Sequence, residues 1–189
     1  MRIIIATVLF LPLLAWGEVT DRTGPYLAVG GGHTTFKDEG RLEAHTNNSN
    51  NGFFTAGAFI NKYLSVEIAL DYYDTITTDT NDNITDLYFF YIDTKAHYPF
   101  WKDRIDLFAA FGAGGVSWDE RLNGVTQQDK SSALMVEAGV GIRVMPSLTF
   151  NMGYRRHFFT LIQEDLVGNE NQQYKMEMSS LYGSIEVQF

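Results

Sequence analysis

Strict alternation of apolar and polar residues is the feature of this sequence that most restricts its fold. From 64 to 72, every second position is apolar, and Ser, Glu, Ala and Asp occupy the positions between. The same period of two runs from 134 to 144 and from 181 to 189. Successive side chains of a β-strand point to opposite faces, whereas a helix repeats about every 3.6 residues. The alternation therefore predicts half-buried β-strands.

Weaker copies of this pattern cover most of the remaining chain. They run over 26–35, 53–61, 88–98, 105–114 and 148–155, which brings the number of predicted strands to eight. No apolar run of about 18 residues or more follows the N-terminal segment, so no transmembrane helix is predicted.

The connections between these strands alternate in length. The short ones are 61–63, 100–104 and 145–147, and the long polar ones are 37–51, 75–83, 119–131 and 163–175. Tight periplasmic turns alternating with long outer loops are typical of a membrane barrel. The sequence therefore predicts an all-β fold, an eight-stranded antiparallel up-and-down transmembrane β-barrel.

The polar parity of the strands predicts a charged lumen. Its charged members are Glu67, Asp93, Lys95, Glu137, Arg143, Arg155 and Glu186. Glycines lie on the same parity at Gly112, Gly114, Gly139, Gly141 and Gly153. On a soluble barrel these glycines would face water and weaken the strands, but inside a narrow barrel they leave room for long charged side chains. Because both signs are present, we expect the charges to pair in one lumen charge cluster.

Aromatic residues gather near both ends of the predicted strands. Those near the short turns are Tyr63, Tyr98, Phe100, Trp101 and Phe189, and those near the long loops are Tyr72, Tyr73, Tyr88 and Trp118. Such residues form girdles where a barrel meets the two membrane interfaces. We expect two girdles here.

The first residues are typical of a secretory signal peptide. Arg2 precedes an apolar run over 3–14, and Ala15 and Gly17 place small residues before a cleavage site. We expect cleavage after Gly17, which gives a signal peptide at 1–17 and a barrel domain at 18–189. An uncleaved N-terminal anchor is the alternative, although the apolar run is short for a membrane span.

Composition excludes several classes of function. The chain has no cysteine, so it has no disulfide and no cysteine-based zinc or redox site. Its formal net charge of −9 argues against a nucleic acid partner. A calcium loop beginning at Asp79 lacks the required glycine and glutamate, which leaves open only a loosely held divalent ion. Its candidate ligands are Asp74, Asp79, Asp82 and Asp86.

Four segments and the final residue carry a resemblance to a known family. They are 24–32 (GPYLAVGGG), 64–67 (LSVE), 108–114 (FAAFGAG), 153–155 (GYR) and Phe189. Because these segments occur in this order and the connections alternate in length, the chain resembles the OmpA-type and opacity-type outer-membrane β-barrel family. The resemblance implies a small eight-stranded barrel with a plugged lumen. It also implies Phe189 as an assembly signal, and we expect no periplasmic peptidoglycan-binding domain after the last strand.

We expect a non-enzymatic barrel in the cell outer membrane, with a structural, envelope-stabilising or adhesin-like role through its outer loops. A narrow porin-like channel for small solutes is the alternative. A lipid A-modifying enzyme is a further alternative function. However, the residue two positions after His157 is not the serine that lipid A deacylases require. No catalytic, cofactor or metal site is predicted. The expected partners are outer-membrane lipid, lipopolysaccharide, the barrel assembly machinery and a host or surface ligand of the loops.

Overall fold

The computed structural model describes residues 22–38, 48–74, 76–77, 83–122, 125–163 and 172–189. The predicted signal peptide at 1–17 lies outside these residues, as do Asp79 and Asp82. No helix in the described ranges is long and apolar enough to cross a membrane.

The described residues form eight long strands. They are β1 (Gly24–Asp38), β2 (Asn48–Asn61), β3 (Leu64–Tyr73), β4 (Asn83–Phe100), β5 (Ile105–Leu122), β6 (Val125–Met145), β7 (Leu148–Gln163) and β8 (Gln172–Gln188). A two-residue strand, Ile76–Thr77, pairs with the beginning of β4.

Each long strand pairs antiparallel with the next one in sequence. The last strand, β8, returns to pair with β1, with Gln188 opposite Tyr26 and Met176 opposite Asp38. This pairing closes the sheet and leaves no open edge among the described strands, which a barrel in lipid requires. The predicted all-β, eight-stranded antiparallel up-and-down barrel is confirmed.

The strands continue far beyond what a membrane crossing needs. β5 and β6 have 18 and 21 residues, whereas about 9–11 residues cross a bilayer. The prediction of a long connection over 119–131 is therefore wrong, because β5 continues to Leu122 and β6 begins at Val125. Polar residues are compatible with a strand that is outside the membrane, so composition alone does not distinguish such a strand from a loop.

The two faces of each strand follow the predicted parity. Ile68, Ile92 and Leu134 are about half exposed on the outer face, while Glu67, Asp93 and Ala133 are buried inside. Every second residue of β3 from Ser65 to Tyr73 is buried. The faces of β1 and β2, which the sequence left ambiguous, are also resolved. Tyr26, Ala28, Thr34, Phe36, Phe53, Thr55 and Phe59 point into the lumen.

Two of the aromatic residues assigned to girdles are in the lumen instead. Tyr73 and Trp118 have 0% and 1% of their surface exposed, so they are not in the outer girdle. Tyr72 and Tyr88 do lie on the outer face and contact each other, with ring centroids 5.0 Å apart. Parity gives the reason, because Tyr73 shares the face of the buried Asp71.

Most of the predicted lumen glycines make room for something other than a charged side chain, and two of them border aromatic rings. A Cβ at Gly139 would overlap the Phe108 ring, and one at Gly153 would lie 2.6 Å from Cζ of Tyr182. Only Gly112 borders a charged side chain closely, with Asp93 Cβ at 2.9 Å. The sequence interpretation was right about the need for space but wrong about what fills it.

Candidate functional site

The middle of the lumen holds a compact ion-pair network, the central ionic cluster, formed by Glu67, Asp71, Lys95, Glu137 and Arg155. Arg155 donates to Asp71 at 2.7 and 2.8 Å and to Glu137 at 2.5 Å. Lys95 Nζ lies 2.7 Å from Glu67 and 3.2 Å from Glu137. Glu137 therefore joins both cations, and the network crosses the lumen from β3 to β7.

Aromatic rings hold this network in place. The Arg155 guanidinium lies 4.5 Å from the ring centroid of Phe53 and 5.2 Å from that of Tyr182. Tyr26 donates its hydroxyl proton to Glu67 and contacts Ser65 at 3.1 Å. Cation–π contacts strengthen as water is excluded, so these rings stabilise the buried guanidinium.

A second polar group, the mouth group, closes the lumen at the end with the short turns. It comprises Arg22, His97, Asp106, Asn151 and Glu186. Asp106 accepts from Arg22 and from His97 Nδ1, each at 2.7 Å. Asn151 donates to Glu186 at 3.2 Å. Ser65 bonds His97 Nε2 at 2.9 Å and thereby connects the mouth group to the central ionic cluster through Tyr26.

The lumen at the end opposite the short turns is mainly apolar and aromatic. We call this region the apolar plug. Its members are Phe36, Ala69, Tyr73, Leu87, Phe89, Tyr91, Val116, Trp118, Ala133, Met135, Phe159, Met176 and Met178. All of them are at least nine-tenths buried. The plug fills the lumen as a hydrophobic core fills a soluble domain.

His157 lies fully buried between the apolar plug and the central ionic cluster. Its Nε2 is 2.6 Å from the Tyr73 hydroxyl, its Nδ1 is 2.9 Å from the Tyr91 hydroxyl, and its ring stacks on Phe89. Both ring nitrogens are thus engaged by phenols. A general base needs a free nitrogen within reach of a nucleophile, so this arrangement does not support hydrolysis.

The predicted lumen charge cluster is divided by the structure into different groups. Glu67, Lys95, Glu137 and Arg155 meet in the central ionic cluster, and Glu186 is in the mouth group. Asp93 is buried beside the cluster, and neither of its carboxylate oxygens has a hydrogen-bond partner among the described residues.

Arg143 and Phe189 are at the turn end of the barrel, away from the central ionic cluster. Arg143 is half-buried, and its guanidinium donates to the Pro146 carbonyl. It is not in the cluster because it lies too close to the end of β6 and bonds the adjacent turn. The Phe189 amide donates to the Pro25 carbonyl at 3.0 Å.

Sequence reasoning did not select several residues that complete these groups. Asp71 lies on the lumen parity of β3 but was not assigned to the charge cluster, although it holds Arg155. Asp106 likewise lies on the lumen parity of β5. Parity could have identified both, whereas Arg22 precedes the first strand and has no parity to indicate that it enters the lumen.

Little space remains between these side chains. A pocket between the central ionic cluster and Asn151 has a volume of about 10 Å³, which is enough for one water molecule. Within the described ranges, no group of three or more His, Cys, Asp or Glu residues is arranged to hold a metal ion.

Comparisons with known proteins agree with this architecture. The family model for the outer membrane protein beta-barrel domain matches residues 3–182. The solved structure of Neisserial surface protein A (NspA) has a TM-score of 0.64 and 18% sequence identity, with 88% of this chain and 97% of that chain covered. A search of curated proteins found no match.

Two further solved structures share the fold. Ail of Yersinia pestis has a TM-score of 0.55 and 12% identity, with 87% of this chain and 99% of that chain covered. OprG from Pseudomonas aeruginosa has a TM-score of 0.56 and 10% identity, with 92% and 100% covered. At such identities the likeness is one of fold alone.

Proposed function

The chain belongs to the outer-membrane protein β-barrel family, and from this membership we propose that it is a non-enzymatic barrel that is closed to solutes and acts through its outer loop end. It is located in the outer membrane of a Gram-negative cell. The observation that carries the proposal is the filled lumen, in which the mouth group, the central ionic cluster and the apolar plug follow one another along the axis.

The filled lumen argues against the narrow channel that was the alternative. Eight strands leave an interior just wide enough for side chains to fill. Here the central pocket holds one water at most. Beyond His157 the apolar plug fills most of the lumen, and the polar residues buried beside it, Thr34, Asn51 and Ser180, are hydrogen-bonded to one another. An ion that entered would have to break the buried ion pairs and then cross an apolar core.

Planar-bilayer recording of the refolded protein tests closure. We expect no resolved conductance steps under conditions in which a large-pore porin, inserted into the same bilayer, gives clear ones. Stable, uniform steps from the parent chain would contradict the closed barrel and favour the channel.

The charge of the loop end indicates the kind of surface partner. The four segments predicted as outer connections contain eleven acidic and five basic residues. The structure of Ail was solved in complex with the heparin analogue sucrose octasulfate, which is an anion. The acidic connections of this chain would repel such a ligand, so we propose a partner with a basic surface.

Binding of two polymers of opposite charge tests this partner class. Vesicles of neutral lipid carrying the protein should bind poly-L-lysine but not heparin, and added salt should weaken the binding because exposed charges are screened. Empty vesicles are the control. The triple variant Glu164→Lys, Asp165→Lys and Glu170→Lys should bind poly-L-lysine less. Preferential binding of heparin by the parent would refute the proposal.

The remaining partners stay predictions. The apolar outer face, with Ile68, Ile92 and Leu134, supports contact with the acyl chains of outer-membrane lipid and lipopolysaccharide.

The barrel assembly machinery is the other expected partner, and we propose that it recognises Phe189. Deleting Phe189 should slow insertion in cells while still allowing refolding in detergent, measured by the heat-dependent gel shift. Equal insertion rates in cells would contradict it.

A further inference from the structure

Arg22 is buried at a position where the chain has not yet entered the barrel wall. It precedes β1 by two residues at the turn end, yet only 7% of its surface is exposed. A charged side chain is seldom buried unless it is paired. The burial of Arg22 therefore indicates a site that receives its guanidinium.

Three strands from different parts of the barrel supply that site. Arg22 Nη1 lies 2.7 Å from Asp106 on β5, and Nη2 lies 4.0 Å from Glu186 on β8. The guanidinium carbon lies 4.5 Å from the ring centroid of Phe59 on β2. Two carboxylates and an aromatic face are the partners that a planar guanidinium prefers. Arg22 thus spans the mouth of the lumen from within.

The backbone around Arg22 is shaped to direct it inwards. Gly24 has φ of +98°, a conformation that residues with a side chain rarely adopt. Gln188 Nε2 donates to the Thr23 carbonyl at 2.8 Å and ties this turn to the end of β8. His97 Nδ1 lies 2.7 Å from Asp106 Oδ2, the same oxygen that Arg22 contacts, and so helps to hold the carboxylate in place. The turn at Gly24, the hydrogen bond from Gln188 and the Asp106 carboxylate therefore all hold the Arg22 side chain in the lumen.

We propose that Arg22 is a stopper, held by the segment before β1, that closes the turn-end mouth of the lumen. Removing its guanidinium leaves Asp106 and Glu186 without their cation and opens an acidic entrance, which water and small cations enter as far as Ser65. This inference rests on the closed lumen proposed above and names the side chain that seals one end of it.

Cysteine labelling tests the stopper, because the chain has no cysteine of its own. Ser65→Cys places a thiol between the mouth group and the central ionic cluster, and Lys62→Cys places one on an exposed turn. The folded protein is reacted in detergent with a small cationic methanethiosulfonate reagent. The heat-dependent gel shift verifies that each variant is a closed barrel.

We expect the thiol of Ser65→Cys to be protected when Arg22 is present and to react at least about tenfold faster when Arg22→Ala is added. Lys62→Cys should react at the same rate with and without Arg22→Ala. Arg143→Ala is the matched control, because Arg143 is at the same end but donates to the Pro146 carbonyl and to the Gln188 side chain, not to Asp106. It should leave the lumen thiol protected. Methylguanidinium added to the Arg22→Ala variant should restore protection.

Each other outcome overturns a defined part of the inference. Protection of the lumen thiol in the Arg22→Ala variant, or equal exposure in the Arg143→Ala variant, refutes the stopper but leaves the closed lumen intact. Fast labelling of Ser65→Cys with Arg22 in place refutes both. If Arg22→Ala does not form a closed barrel, Arg22→Gln replaces it. Failure of both to fold also refutes the stopper, because Arg22 would then be a folding residue.

Discussion

The two halves of the lumen are filled by opposite chemistry. The half towards the short turns contains the mouth group and the central ionic cluster, in which Arg155 and Lys95 are enclosed by carboxylates. The half towards the loops contains the apolar plug, with Phe89, Trp118 and Met178 almost fully buried. Both halves are filled with side chains, but only the second resembles the core of a soluble protein.

The outer face also changes along the barrel axis. Around the ionic half it is apolar, with Ile68, Ile92 and Leu107 exposed. Beside the apolar plug it is mixed, because Tyr88 and Leu134 are exposed there next to polar residues. The polar outer residues on this part of the wall are His33, Thr35, Ser117, Lys130, Ser132, Lys175 and Ser179. We therefore expect the outer boundary of the membrane where the apolar outer residues give way to these polar ones.

The ionic half should depend most on Arg155. Arg155→Ala leaves Asp71 and Glu137 buried without their cation, so the free energy of unfolding should fall by about 3–5 kcal/mol. Arg156→Ala is the control, because the adjacent arginine pairs with Glu177 on the outer face and both side chains are partly exposed. A surface pair contributes about 0–1 kcal/mol. Urea unfolding in detergent measures both. Equal losses would show that the central ionic cluster does not stabilise the lumen.

The apolar half should respond to a cavity. Met178 is fully buried, so Met178→Ala should cost about 2–5 kcal/mol. Met152→Ala on the outer face leaves no internal cavity. It should cost less, because the protein loses only the free energy gained by removing the methionine side chain from water. A Met178→Ala loss no larger than that of Met152→Ala would mean that the apolar plug is loosely packed.

The membrane boundary can be located with arginine on the outer face of a single strand, β6. Val140→Arg lies on the part expected in lipid, where arginine near the bilayer midplane costs about 2–4 kcal/mol. Ser132→Arg lies on the polar part beside the apolar plug, where the cost falls to about 0–1 kcal/mol. Unfolding from lipid vesicles separates the two. Equal costs would contradict a membrane boundary between Val140 and Ser132.

Asp93 should give the smallest effect, although it lies at the junction of the two halves. Its oxygens lack hydrogen-bond partners within the described ranges, so Asp93→Asn should change the free energy of unfolding by less than about 1 kcal/mol. Asp71→Asn is the matched control, since it weakens the bidentate contact with Arg155. A loss from Asp93→Asn as large as that from Asp71→Asn would reveal an ion pair at Asp93.

Alternation in the sequence was enough to predict the eight strands, the inner and outer faces of six of them, and the closure of the barrel, but it did not predict how far the strands extend at the loop end. Alternation is a local property, because each residue's parity fixes whether it points into the lumen or outwards. That is why Glu67, Lys95, Glu137 and Arg155 could be assigned to the lumen, and why the same rule, applied to Tyr73, would have corrected its assignment to a girdle.

Which lumen residues meet, and how far each half extends, depends on the closed barrel and not on any local pattern. Asp71 and Arg155 are 84 positions apart and touch because closure brings β3 and β7 to facing sides of the lumen. Parity gives the direction of a side chain but not its height along the barrel axis, so Arg143 was grouped with charges that it does not reach. Arg22 lies outside every strand, and its place in the mouth follows from the turn at Gly24. Contacts across a lumen depend on strand tilt and register, which no short stretch of sequence records.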